Sequence, residues 1–178
     1  MPDRHSLLIL LFSLLLPLTV AANPGIAARH MTQPTVVGSG QMQFLLWDIY
    51  RATLYAPQGR WQEQPPYALT LRYHREFQGA DIATRSAQEI EQLGFKNKKK
   101  LIRWQQQMQA LFPDVQPADT LTGVHTATGE TIFYHNGQSL GQIDDPEFSR
   151  WFFSIWLNPA TREPNLRQQL LGRADDPA

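Results

Sequence analysis

Between Asp145 and Leu157 the chain reads DPEFSRWFFSIWL, and its apolar positions keep helical time: Phe148, Trp151, Phe152, Ile155 and Trp156 fall at i, i+3, i+4, i+7 and i+8. Asp145 is placed to cap this helix, Pro146 suits its first position, and Glu147 sits at the positive end of the dipole. Asn158-Pro159 ends it, because a residue before proline is pushed out of the α region. A stripe of aromatics this wide needs a broad partner, and a sheet is the natural one. Its first reading is core packing, not ligand contact.

Elsewhere the period is two. Thr35 to Tyr55 reads as one long strand or a tight strand pair: Met42, Phe44, Leu46, Tyr50, Ala52 and Leu54 share one parity, with Asp48 the charged exception. Trp47, Ile49, Arg51, Thr53 and Tyr55 share the other. Gly38 and Gly40 around Ser39 predict a bulge or a close backbone approach. From Tyr67 to Phe77, Tyr67, Leu69, Leu71 and Tyr73 alternate with Thr70, Arg72, His74 and Glu76, and Arg75 and Phe77 continue the apolar parity. Leu121 to Ile143 reads as a three-stranded meander turning at Thr128-Gly129 and Asn136-Gly137. If both loops have two residues, Val124, Phe133 and Leu140 share one face, and His125, Ile132 and Tyr134 the other. That register sets His125 and His135 on opposite faces.

Three further helices are expected: one capped by Asp81 and stopped at Gly94, one from Asn97 to Leu111, and one from Pro164 to Leu171 closed by Gly172. Strands, two helices, a strand meander and two more helices segregate the element types, which makes the fold α+β.

Composition narrows the function. With 178 residues, 42% of them hydrophobic, the chain suits one domain with a sizeable core. Sixteen basic and sixteen acidic residues cancel, so no overall field draws it to nucleic acid or to anionic membrane. The absence of cysteine excludes a lipoprotein anchor, a disulfide framework, a thiol nucleophile and a zinc-thiolate site. Arg4 and His5 precede the apolar run from Ser6 to Val20, and small residues follow. Residues 1–22 are therefore expected to be a signal peptide cleaved after Ala22, with Ala28 a second possible site. That leaves a leader at 23–34, a domain at 35–172, a polar tail at 173–178, a periplasmic or secreted product, and no stable membrane anchor.

No nucleophile elbow, zinc motif, dinucleotide fingerprint or calcium loop is present, and the five histidines show no ligand spacing, so neither metal nor cofactor is expected. Lys98-Lys99-Lys100, flanked by Lys96 and Arg103, opposes a helix dipole by about 0.3–1 kcal/mol per charge. It reads as a solvated basic edge or an anion site. Asp144, Asp145 and Glu147 read as capping acids. Asp48 and Arg75 lie on apolar parities, where a charge is costly unless paired, so they meet in an ion pair or face a ligand cavity.

The stretches VGSGQMQFLLWDIYRATLYAP, YALTLRYHREFQG, FSRWFFSIWLNP and LRQQLLG resemble the bacterial chalcone isomerase-like proteins over most of the chain beyond the signal peptide. The resemblance implies an open-faced antiparallel sheet with helices over one face and a pocket between them. Relatives of this kind are either isomerases that close a flavanone ring or non-catalytic binders of fatty acids. The enzymes carry an arginine in a GxRG stretch and a threonine near the next tyrosine; the matching places here hold Ser39 and Tyr50. Loss of that arginine removes the cation that steadies a reacting phenolate, and Arg51 or Arg75 replaces it only by pointing into the pocket. The expectation is an exported, non-catalytic binder of a small apolar or fatty-acid-like ligand with an anionic end. Tyr50, Tyr73 and Arg75 are its expected polar contacts, with Arg51 beside them and Asp48 shaping the charge. An isomerase or lyase acting on an α,β-unsaturated ketone, and a structural module of the cell envelope, are the alternatives.

Overall fold

Six strands pair in chain order, each antiparallel to the one before: β1 (Pro34–Phe44), β2 (Trp47–Pro57), β3 (Tyr67–Tyr73), β4 (Thr120–His125), β5 (Thr131–His135) and β6 (Gln138–Ile143). Helices α1 (Gly79–Gln92), α2 (Lys98–Leu111), α3 (Pro146–Leu157) and α4 (Pro164–Leu170) cover one face and share its main core. This α+β arrangement is seen in a computed structural model that describes residues 25–173. The segment expected to be a signal peptide, the expected cleavage after Ala22 and all of the tail after Arg173 lie outside the described residues.

The segment read as a leader has a packing role. A single 3-10 turn at Ala27–Arg29 lays Ala27 and Met31 against Tyr55, Ala68, Val124 and Tyr134 on the sheet's other face. His30 Nε2 lies 2.6 Å from the Tyr134 hydroxyl. The leader's lack of periodicity gave no sign of this.

The Thr35–Tyr55 stretch is a strand pair, with Leu45 taking φ +54° in the turn. Both readings of Gly38 and Gly40 hold. The register shifts between Val36 and Gly38, and α4 rests on the glycines. A Cβ at Gly38 would stand 2.1 Å from the Gln169 carbonyl oxygen and 2.7 Å from that of Leu170. Backbone cannot swing aside as a side chain can. Gly38→Ala is therefore expected to cost about 1–3 kcal/mol in chemical denaturation, with α4 losing amide protection first.

Two local expectations need correction. Asp81 lies in the first turn of α1 and is not its cap. The helix begins at Gly79, whose N–H donates to Asp114 Oδ1 at 2.9 Å, so the cap comes from beyond α2. In the meander, the Asn136-Gly137 turn is as expected, with φ +49° and +84°. The other turn instead holds three residues, Ala127 to Gly129, since the Thr126 N–H donates to the Glu130 carbonyl. One extra residue slips the register by one and turns every side chain over. Val124 pairs with Ile132 and packs with Tyr134 on the outer face, while His125 joins Phe133 and His135 on the helix face. Leu140 falls in a register shift opposite Phe133 and Tyr134.

This register buries His125. Its Nδ1 is 3.0 Å from the Tyr67 hydroxyl, and its ring stacks on Phe153 with centroids 5.5 Å apart. Burial, helped by Arg150 and opposed by Glu130, pushes the imidazole down to about 4. The unfolded chain takes up the proton first, so this contribution to stability is complete above the unfolded value and declines as pH falls toward 4. Urea midpoints measured from pH 7 to pH 4 are expected to fall, and His125→Gln to flatten the decline. His30, also pushed down by burial and by Arg29, leaves a residual slope in that variant.

The basic edge and the capping acids, separate in sequence, satisfy each other. Asp145 caps α3 by accepting from the N–H groups of Glu147 and Phe148. It also accepts from Trp104 Nε1 at 3.0 Å and pairs with Arg103 at 3.3 Å and Lys100 at 3.6 Å. Lys100 further pairs with Glu147, and Lys98 with Glu91. These contacts lock α2 to the start of α3 and so fix the helical roof over the sheet.

Candidate ligand cavity

The aromatic stripe of α3 is buried as expected, with Phe148, Phe152 and Trp156 in the core, Trp151 and Ile155 partly covered, and Phe153 added from the flank. It does not fill all the space beneath the roof. Where α1 turns Ser86 toward the sheet and β4 offers Gly123, a cavity of about 400 Å³ remains. Its floor is Leu69, Leu71, Leu121 and Phe133, and its roof is Ile82, Phe152 and Ile155. Met42, Phe44 and Ile49 close the side toward the β1–β2 hairpin. A volume of that size, lined largely by apolar groups with a few convergent polar ones, suits a small organic ligand.

The polar groups gather at one end. Tyr50 and Tyr73, neighbours across the β2–β3 ladder, meet edge to face with ring centroids 5.8 Å apart. Trp156 Nε1 donates to the Tyr50 hydroxyl at 3.0 Å. Burial pushes the Tyr50 phenol up to about 12, against that hydrogen bond; Glu163 and Glu89 push the same way and Arg85 opposes them. Tyr73, only 3% exposed, is also raised by burial and by Tyr50. Its hydroxyl makes no hydrogen bond to any described residue. Both phenols are therefore neutral at ordinary pH, and Tyr73 is a donor without an acceptor among the described residues. At the rim Glu89 pairs with Arg85 at 2.7 Å and lies 3.7 Å from Arg162.

Of the residues singled out from sequence, the fold brings Tyr50 and Tyr73 to the cavity and leaves the rest outside its lining. Asp48 is exposed and accepts from Gln43 Nε2 at 2.7 Å. Arg51, on the outer parity, donates to Ser39 Oγ at 3.3 Å, so neither it nor Ser39 supplies a cavity cation. Arg75 stacks over Trp47 at 4.3 Å instead of pairing with Asp48. Parity misled because β3 stops at Tyr73, where the backbone leaves the ladder, and because a register shift at Met42 and Gln43 precedes the hairpin turn. The cations at the rim are Arg85 and Arg162. Arg85 carried a faint sign, an i,i+4 pair with Glu89 flanking the apolar side of α1; Arg162, in a loop, carried none. Among the described residues no cluster of His, Asp and Glu could hold a metal ion.

An antiparallel sheet roofed on one face, with an apolar cavity in between and a phenol pair at one end, defines an α+β open-faced sandwich. Residues 35–172 match the model of the chalcone isomerase-like family, and the chain belongs to that family. An uncharacterized Haemophilus influenzae protein is 30% identical over 138 residues, which span 77% of this chain and 67% of that one. The crystal structure of an Arabidopsis thaliana fatty-acid binding protein superposes with a TM-score of 0.61 at 12% identity, covering 81% of this chain and 89% of the other. At that identity the likeness establishes the shared fold.

Proposed function

We propose that the protein is a non-catalytic binder of a small, fatty-acid-like molecule, which lies in the cavity with its polar end at the Tyr50–Tyr73 corner. The observation that carries this reading is the Tyr73 hydroxyl, which has no hydrogen-bond partner among the described residues and belongs to an otherwise greasy cavity lining. A ligand oxygen supplies the missing acceptor. Arg85 and Arg162 share Glu89 at the rim, where a ligand carboxylate would compete with Glu89 for them, and the fatty-acid binding protein of like fold supports the choice of ligand. Export belongs to the same reading, supported by the apolar run before Ala22, and a mature chain beginning at Met1 by mass spectrometry would refute it.

Displacement of a fluorescent fatty-acid probe tests the binding. Tyr73→Phe is expected to weaken a saturated fatty acid by roughly 2- to 10-fold, the worth of one hydrogen bond, without loss of folding. Arg85→Ala with Arg162→Ala is expected to erase the preference for the acid over its methyl ester. Equal binding of acid and ester by the unaltered protein would remove the headgroup assignment, and absence of any displacement would remove the whole reading.

The phenols also support a second reading, in which they donate to the carbonyl of an α,β-unsaturated ketone and promote ring closure. Loss of chalcone's visible absorbance on incubation, abolished in Tyr73→Phe, would favour it over simple binding.

A further inference from the structure

The β1–β2 hairpin ends in Phe44, Leu45, Leu46 and Trp47, which are 62%, 82%, 97% and 56% exposed. Among the described residues the one other large hydrophobic so exposed is Ile102, standing alone on α2. Four consecutive side chains of this size at one convex turn are costly to leave in water, and singly scattered apolar residues do not explain them. The surrounding charge is equally uneven. Arg51 and Arg72 are exposed and directly opposite each other across β2 and β3, a like-charge pairing that works against the sheet. Arg75 holds the face of Trp47 at 4.3 Å. None of these three arginines is in an ion pair with a described residue. Of the nearby acids, Asp48 is engaged by Gln43, and Glu76 is exposed. Phe44 and Ile49 belong to the hairpin and also to the cavity wall.

We propose that this hairpin tip docks the protein onto an anionic lipid bilayer, with Leu45, Leu46 and Trp47 entering the interfacial region and Arg51, Arg72 and Arg75 meeting lipid phosphates. A convex tip presents no groove for a protein segment, whereas a bilayer accepts apolar side chains without matching their shape. Tryptophan favours the water–lipid boundary, and arginine beside it complements anionic headgroups. No helix among the described residues is long and apolar enough to cross a membrane. Because Phe44 and Ile49 join tip to cavity, docking turns the cavity wall toward the lipid. The inference stands on the surface alone and does not require the carrier reading.

The chain has no cysteine, so Leu46→Cys gives a single labelling site for an environment-sensitive fluorophore, with Gln109→Cys on the exposed side of α2 as the control. The label at position 46 is expected to shift to the blue with vesicles of phosphatidylcholine and phosphatidylglycerol, more weakly with phosphatidylcholine alone, and to be quenched by spin-labelled lipid. The control is expected not to respond. A site-specific probe reports on the tip whatever the N-terminus does. In the full chain with the label at position 46, Leu45→Ser is expected to weaken the vesicle binding that the label reports roughly tenfold. Four results would overturn the proposal: no shift at position 46, an equal shift at position 109, indifference to anionic lipid, or a shift with protein concentration in the absence of vesicles. The last would assign the tip to a second copy of this chain.

Discussion

Ser86→Trp is expected to weaken fatty-acid binding about a hundredfold while leaving the protein folded. Ser86 lies on the inward face of α1 and lines the cavity, and its hydroxyl donates only to the Ile82 carbonyl one turn earlier, so its loss strands no buried donor. An indole at this position occupies space the ligand needs. Excluding about 110 Å² of ligand contact, at roughly 25 cal/mol per Å², removes about 2.7 kcal/mol, or a hundredfold in affinity. Stability moves little, because the new side chain enters a void and not a packed core. Probe displacement and a thermal melt on the same preparation read the two effects separately. Retained affinity in a folded variant would place the ligand somewhere other than the cavity.

Phe148→Ala is expected to give the largest loss of stability, about 3–5 kcal/mol. Phe148 is fully buried where the roof, the floor and the basic edge converge. Its ring stacks on Phe152 with centroids 5.3 Å apart, meets Trp104 edge-on at 5.6 Å and reaches Phe133 at 6.3 Å. Truncation leaves a hole bounded by rings that cannot collapse into it, since Trp104 is tethered to Asp145 and Phe133 is fixed in β5. Urea denaturation with an unchanged slope and a midpoint lowered by this amount is the expected outcome. A change under 1 kcal/mol would mean that α3 contributes little to closing the roof.

The parts of the fold that could be read from sequence were those fixed by local rules. The α3 stripe, its Asp145 cap and the Asn136-Gly137 turn depend on residues a few positions apart, and they formed as expected. So did the close approach at Gly38 and Gly40, although its cause, α4 lying across β1, comes from more than a hundred residues away. The failures were failures of counting. One residue more in the Thr126–Glu130 turn moved His125 from the face of Ile132 and Tyr134 to that of Phe133, and the end of β3 at Tyr73 detached Arg75 from the apolar parity of its strand. The site was half legible for the same reason. Tyr50 and Tyr73 lie where strand alternation is unbroken and reached the cavity, whereas Arg85 and Arg162 arrive from a helix flank and a loop, whose positions only tertiary packing sets. The lysine cluster and the carboxylates before α3 were each judged alone, and pairing across 40-odd residues leaves no periodic trace.

The cavity's occupant can be observed directly by isotope-edited NMR of the protein mixed with a carbon-13-labelled saturated fatty acid. The account predicts cross-peaks from the acyl methylenes to Leu71, Phe152 and Ile155, with the Tyr73 ring close to the carboxyl end. Cross-peaks confined to Leu45, Leu46 and Trp47, or none at all at saturating acid, would contradict it.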